Sequence, residues 1–227
     1  MADDDLLVVK DRGDGVWLLR LNRPEVRNAL SVGLRDRLSE AVDVLAARPD
    51  VGALVLTGTG SVFCAGFDLA EFGAAGEDPR ARARLWASSD RFHHTLLRCA
   101  VPLLCALNGP ALAGGFDLAT LCDLRIAQPG VWFARPEVAS AEPLFATLRE
   151  LVGGSLAREL CFTERRIEAE EALRVGLVNR LAGAGEAVDA ALELARAIAA
   201  RPRDAVRATK AKIVAAAGLA ARPTLAL

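Results

Sequence analysis

The stretch Ala106-Leu-Asn-Gly-Pro-Ala-Leu-Ala-Gly-Gly-Phe-Asp-Leu118 decides the fold. It leaves a buried strand read over Val101–Leu107, turns at Asn108-Gly109-Pro110 and enters an apolar helix over Phe116–Cys122. Gly114 and Gly115 fall at the start of that helix, where N–H groups lack intrahelical partners and the macrodipole is positive. Glycine there admits close approach of a ligand to the main chain. The same residues also suit a tight turn that needs small side chains, and spacing alone leaves both readings open.

Working outward, strands and helices alternate. Ala53–Thr57 reads as a short buried strand ending in Gly58-Thr59-Gly60, with a loop of small residues, Ser61–Leu69, beyond it. Before it, Leu6–Val9 and Val16–Leu21 flank Gly13-Asp14-Gly15 as a hairpin. Leu34, Leu38, Ala41, Val42 and Leu45 form one helical face over Ser31–Arg48, with Ser31 as N-cap. Ala81–Arg98 reads as a helix, Leu124–Ala127 and Trp132-Phe133 as short strands. From Glu142 onward the pattern is helical apart from an extended piece at Leu177–Leu181. Such alternation predicts an α/β architecture with parallel crossover connections.

Composition narrows the function. The 227 residues are 52% hydrophobic and 25% charged, enough for one domain with a sizeable core. The 28 basic residues are balanced by 29 acidic ones, which argues against nucleic acid as a partner. No apolar run reaches the roughly 18 residues of a membrane helix, and the acidic start Met1-Ala2-Asp3-Asp4-Asp5 is unlike a secretory signal. A cytoplasmic protein without a membrane partner is the expectation. The five cysteines are odd in number and form no CxxC pair, and the two histidines, His93 and His94, are adjacent. No metal site is expected from them. With no tyrosine present, acid–base chemistry falls to carboxylates, cysteines or the histidine pair.

Three side chains stand out. Cys64 lies in the small-residue loop but has no base nearby in sequence, so a buried thiol is the stronger reading. Asp117 lies in the first turn of an apolar helix, where it either stabilises the helix end or has a raised pKa. Glu137 follows Pro136 after the apolar pair Trp132-Phe133; its structural alternative is a salt bridge to Arg135 or Arg125. Gly58-Thr59-Gly60 lacks the further glycine and lysine of a phosphate loop.

Five blocks in order carry a resemblance. They are Leu21-Asn-Arg-Pro-Glu-Val-Arg-Asn-Ala-Leu30, Leu56-Thr-Gly-Thr-Gly-Ser-Val-Phe-Cys-Ala-Gly-Phe-Asp-Leu69, Ala106–Leu118, Cys122-Asp-Leu-Arg-Ile-Ala127 and Arg165–Asn179. On these the chain resembles the crotonase superfamily, the enoyl-CoA hydratase/isomerase fold, over nearly its whole length. The resemblance implies a crotonase-like α/β spiral of ββα units over residues 1–182. A shortened C-terminal helical region would follow over 183–227. It implies an acyl-CoA thioester as substrate, no cofactor beyond the coenzyme A carried by that substrate, and a homotrimer or dimer of trimers.

The resemblance also implies roles for residues. The backbone N–H groups of Phe67 and Gly114 would hold the thioester oxygen, with Asp117 and Glu137 as the two acids of a hydratase. Ala65, Gly66, Asp68, Leu69 and Arg27 would bind substrate, and Arg23, Arg27 and Lys210 are candidates for CoA phosphates or else solvated charges. Hydration of a 2-enoyl-CoA, or its reverse, is the implied activity. Isomerisation of an enoyl- or dienoyl-CoA by Glu137, and a catalytically silent acyl-CoA binder, stand as alternatives. Departures from the family are visible. Asp117 is one methylene shorter than the usual glutamate, about 1.5 Å, and Ala139–Thr147 replaces a glycine-rich stretch, making Glu142 a possible extra acid. Phe145 stands where dienoyl isomerases keep an aspartate. Phe67, Phe116 and Phe145 suggest a partly filled pocket for short or flat acyl groups.

Overall fold

The hairpin forms as β1 (Leu7–Asp11) and β2 (Val16–Leu21), antiparallel, with Leu7 opposite Leu21. At its turn Gly13, Asp14 and Gly15 have φ of 77°, 54° and 75°. A Cβ on Gly15 would lie 2.6 Å from the Asp50 carbonyl oxygen, so position 15 admits only glycine on two grounds. This computed structural model describes residues 6–76, 78–135 and 144–218.

Seven more strands follow: β3 (Ala53–Gly58), β4 (Leu103–Leu107), β5 (Ala111–Leu112), β6 (Leu124–Ala127), β7 (Trp132–Ala134), β8 (Ile167–Glu168) and β9 (Arg180–Leu181). The helices are α1 (Val32–Ala47), α2 (Leu69–Ala75), α3 (Pro79–Leu97), α4 (Gly114–Leu121), α5 (Phe145–Thr163), α6 (Ala169–Arg174), α7 (Ala187–Ala199) and α8 (Arg203–Ala217). One sheet runs β1-β2-β3-β4-β6-β9, parallel from β2 onward, and a second runs β5-β7-β8. The parallel α/β arrangement is the one expected.

Both faces of the larger sheet are covered, which is why all six residues of β3 are buried. Leu19, Leu21, Leu54, Leu56, Cys105 and Leu107 enter the main core with α1, α3 and α4. Their alternates, Val16, Leu18, Val55, Leu104, Ala106 and Ile126, pack against α7. Alanines 191, 195 and 199 line that helix face, and a Cβ on Gly52 would come 2.7 Å from the Ala199 Cβ. Small residues on both sides therefore let α7 lie close to the strands. Ser31 caps α1 as expected, its hydroxyl accepting from the Leu34 N–H at 3.2 Å.

Four elements differ from the sequence reading. The helix α2 is seven residues long with a glycine inside, and Asp68 caps it. The strands β5 and β8 are two residues each, below any detectable alternation. The long helical stretch after Glu142 is not continuous: Gly153, at φ 78°, breaks α5. Among the described residues no helix is long and apolar enough to cross a membrane.

Arg125 ties these parts together. Fully buried on β6, it donates to the carbonyls of Leu177 (2.6 Å), Ala119 (3.1 Å), Cys122 (2.6 Å) and Asp123 (3.3 Å). Two of these acceptors belong to the C-terminal end of α4, where a cation also answers the helix dipole. The side chain thus fixes α4 against the sheet, rather than being held for a carboxylate partner. Replacing it by methionine leaves several buried carbonyls unpaired at about 1–3 kcal/mol each. Urea denaturation of Arg125→Met is expected to show a loss of about 3 kcal/mol or more; a loss below about 1 kcal/mol would contradict this role.

Candidate active site

Two loops meet at the end of the parallel strands, and Asn28 organises the first. Its backbone is left-handed (φ 56°), and its side chain is fully buried. The Nδ2 group donates to the carbonyls of Thr59 (2.9 Å), Val62 (2.9 Å) and Phe63 (3.1 Å), and Oδ1 accepts from the Arg23 N–H at 3.0 Å. One amide therefore clamps residues 59–63 to residues 23–28. The following segment is held by main-chain bonds from Ala65 N–H to Arg27 O (3.0 Å) and from Leu30 N–H to Gly66 O (2.8 Å).

The second loop carries β5 into α4. The Leu112 N–H donates to Cys64 O at 2.9 Å and the Ala113 N–H to Ala134 O at 2.9 Å. Ala113 has φ 47° and ψ −123°, an uncommon conformation for a side-chain-bearing residue, costing about 1–3 kcal/mol. It turns the chain sharply into Gly114. The main chains then touch. A Cβ on Gly66, which has φ 94°, would lie 2.9 Å from Gly114 N, and one on Gly115 would lie 2.3 Å from Cys64 O. A Cβ on Gly114 would lie 3.4 Å from Phe67 N and 3.0 Å from the Phe67 ring. Among the described residues, neither the Phe67 N–H nor the Gly114 N–H has a main-chain acceptor. Two unpaired donors from separate loops are brought side by side, one of them at the positive end of α4.

The Phe67 ring is boxed in. It makes edge contacts with Phe72 (6.1 Å) and His93 (6.2 Å), and the Arg35 guanidinium lies over it at 4.8 Å. Arg35 is fully buried and donates to Leu30 O (2.7 Å), Ser88 Oγ (3.2 Å) and Leu85 O (3.3 Å). Burial lowers its pKa, opposed by Glu71, Asp36 and Asp68. Sequence reading missed Arg35, which sits beside the apolar stripe of α1; the small polar residue four positions on, Ser39, shares its buried face and was the available signal.

Asp117 lies in the first turn of α4, buried, with its Oδ1 2.5 Å from Arg135 Nη2. The contact is an ion pair without hydrogen-bond alignment: among the described residues neither atom has a hydrogen-bond partner. The Arg135 guanidinium also lies 5.0 Å from the centre of the Phe116 ring. Burial raises the Asp117 pKa above the usual carboxylate range, while Arg135 and the Leu144 N–H pull it back. The arginine anticipated as a partner for Glu137 thus pairs with Asp117. Glu137 and Glu142 themselves lie outside the described residues.

The profile of the enoyl-CoA hydratase/isomerase family matches residues 11–226. The chain belongs to the enoyl-CoA hydratase/isomerase family. A putative enoyl-CoA hydratase from Thermus thermophilus is 38% identical over 213 residues, covering 90% of this chain and 82% of its own. The solved structure of Pseudomonas aeruginosa DspI matches with a TM-score of 0.88 at 32% identity, over 97% of this chain and 91% of that one. Enoyl-CoA hydratase from Bacillus anthracis matches with a TM-score of 0.85 at 30% identity, over 92% and 82%. The architecture is the crotonase fold, and the protein is a crotonase-type enzyme. The family acts on acyl-CoA thioesters.

Several side chains named by the resemblance also have partners within the chain. Asp68 accepts from the Ala70 N–H (3.1 Å) as the cap of α2 and pairs with Arg23 (2.9 Å). Arg23 also donates to Ala29 O, and Lys210 is buried in an ion pair with Asp123, so neither is a solvated charge or a free cation for phosphate. Arg27 is exposed with φ 55°, and Leu69 is exposed at the start of α2. Phe116 is a core residue 5.1 Å from Phe133 rather than pocket lining, and Phe145 opens α5, half-buried.

Burial silences His93, Cys64 and Cys99 as acid–base groups. His93 is pushed down to about 4, chiefly by desolvation, and is neutral at pH 7. Desolvation pushes the Cys64 thiol up to about 12, and Cys99 up to about 11. Of the five cysteines only Cys161 is partly accessible. Alkylation of the native protein with iodoacetamide at pH 8, read by peptide mass spectrometry, is expected to label Cys161 first. Labelling of Cys64 ahead of it would contradict the packing described.

Proposed function

We propose that the protein adds water across the double bond of a 2-enoyl-CoA thioester, and runs the reverse dehydration. The observation that carries this reading is the contact between residues 66–67 and 113–115, which leaves the N–H groups of Phe67 and Gly114 adjacent and without a main-chain acceptor among the described residues. Two such donors suit an oxygen that gains charge. In hydration the thioester oxygen becomes an enolate, and each preorganised donor lowers the barrier by about 3–4 kcal/mol. The relatives named enoyl-CoA hydratase support the same reaction over isomerisation.

In the proposed cycle Asp117, as a carboxylate, takes a proton from water while the water oxygen bonds to Cβ. The π electrons pass through Cα to the thioester oxygen, which the two N–H groups hold. The neutral Glu137 carboxyl then gives its proton to Cα as the enolate collapses to the thioester. Exchange with solvent returns the Asp117 proton and reprotonates Glu137. Ala65, Gly66 and Leu69 are proposed to lie along the substrate, with exposed Arg27 available to the CoA phosphates.

The test is α-proton exchange. Crotonyl-CoA incubated with the protein in heavy water is expected to give 3-hydroxybutyryl-CoA carrying deuterium at Cα, and Glu137→Gln to abolish the label. Gly66→Ala introduces a Cβ 2.9 Å from Gly114 N at a left-handed φ. It is expected to reduce the rate by about 100-fold or more, the scale of losing one oxyanion donor. Bound thioester with neither hydration nor exchange would instead mark a silent acyl-CoA binder.

A further inference from the structure

We propose that Arg135 is a positioning residue that keeps Asp117 ionised and fixes its carboxylate to receive a proton in the reaction; this rests on the hydration reading above. Three observations carry it. Both side chains of the pair are only 8% exposed, and they meet at 2.5 Å. A carboxylate on an apolar helix without a cation would shed its charge, because an unpaired buried ion is strongly disfavoured.

The guanidinium is itself held in place. It lies over the Phe116 ring, one residue before Asp117 on the same helix turn. It follows β7 directly, and Ala134 of that strand accepts the Ala113 N–H that sets the entry to α4. Arg135 and the unpaired Gly114 N–H are therefore placed by the same main-chain bond. A displacement of one moves the other.

The pairing is also incomplete in an informative way. Arginine–carboxylate pairs are frequently bidentate, with two parallel, aligned hydrogen bonds. Here Nη2 and Oδ1 are in ionic contact, yet neither has an aligned partner among the described residues. Oδ1 keeps lone-pair capacity for a donor such as water. Among the described residues, the groups facing the pair are Cys161 from α5, which senses both charges, and the Leu144 N–H at the start of that helix. Helix α3 also packs against α4, but neither His93 nor His94 figures among the groups that influence Asp117.

The sign of the pH effect follows. Burial raises the Asp117 pKa and Arg135 lowers it, so removing Arg135 raises it further. Activity that needs the anion then requires a higher pH. On the acid side, every tenfold gain in proton affinity leaves about one tenth as much of the ionised form.

The experiment compares wild type, Arg135→Gln, Arg135→Lys and Asp117→Asn. Two readouts are used: crotonyl-CoA hydration against pH, and infrared titration of the Asp117 carboxyl, assigned by its loss in Asp117→Asn. In Arg135→Gln both midpoints are expected to move to higher pH, by about 1 on the pH scale or more. The rate should fall about tenfold at pH values below the wild-type midpoint and recover at higher pH, with Arg135→Lys largely restoring both. A rate lowered by the same factor at every pH, with the carboxyl midpoint unmoved, would overturn the proposal. So would an unchanged profile. If the wild type hydrates nothing, the hydration reading fails by itself, while the infrared midpoint still decides the role of Arg135. Should Arg135→Gln not fold, Arg135→Met, which keeps an unbranched stem without the charge, decides: an upward shift of the carboxyl midpoint supports the proposal, and an unmoved midpoint overturns it.

Discussion

The close approach of two main-chain segments, Gly66–Phe67 and Ala113–Gly115, is the constraint on which the remaining architecture depends. Neither segment is regular structure, and each is held from outside. Asn28 supplies the first clamp through its bonds to the loop that leads into Cys64. The second segment is held by β7 through Ala134 and, at the far end of α4, by the carbonyl bonds of Arg125. Side chains at 66 or 115 would force the segments apart, so glycine at these two positions is a steric condition of the contact, while one at 114 would crowd the Phe67 ring.

Three buried arginines hold the elements that carry this contact, and each meets a different kind of partner. Arg125 is satisfied by carbonyl oxygens, Arg35 by carbonyls, a serine and an aromatic face, and Arg135 by a carboxylate and an aromatic face. Planar guanidinium groups suit such sites because they hydrogen-bond in plane and stack out of plane. Of the three, only Arg135 is paired with a carboxylate among the described residues, and that carboxylate is on the helix that starts at Gly114. That difference separates scaffold from the chemistry proposed for the site. The sequence alone hid it, since both Asp117 and Arg135 had plausible structural roles nearby.

Much of the fold was legible from residues. The hairpin, the capped helix α1, the strands β3, β4 and β6 and the glycine start of α4 all follow from patterning and turn chemistry. What escaped has physical causes. Two-residue strands such as β5 and β8 carry no periodicity, and α2 owes its start to the Asp68 cap rather than to an apolar stripe. The meeting of Phe67 with Gly114 joins residues 47 positions apart in sequence; the family resemblance paired them, whereas local spacing did not. Partner choice was the least legible feature. Arg23, Lys210 and Arg135 all read as surface charges or alternative partners, and long-range contacts with Asp68, Asp123 and Asp117 decided otherwise.

The central claim is that the Phe67 and Gly114 N–H groups polarise a thioester carbonyl. The most direct measurement is the carbonyl 13C resonance of a non-reacting acyl-CoA, labelled at the thioester carbon, free and bound. Two converging donors predict a downfield shift on binding to the wild type that is lost in Gly66→Ala even at saturating protein. A bound resonance at the free position in the wild type would contradict the account.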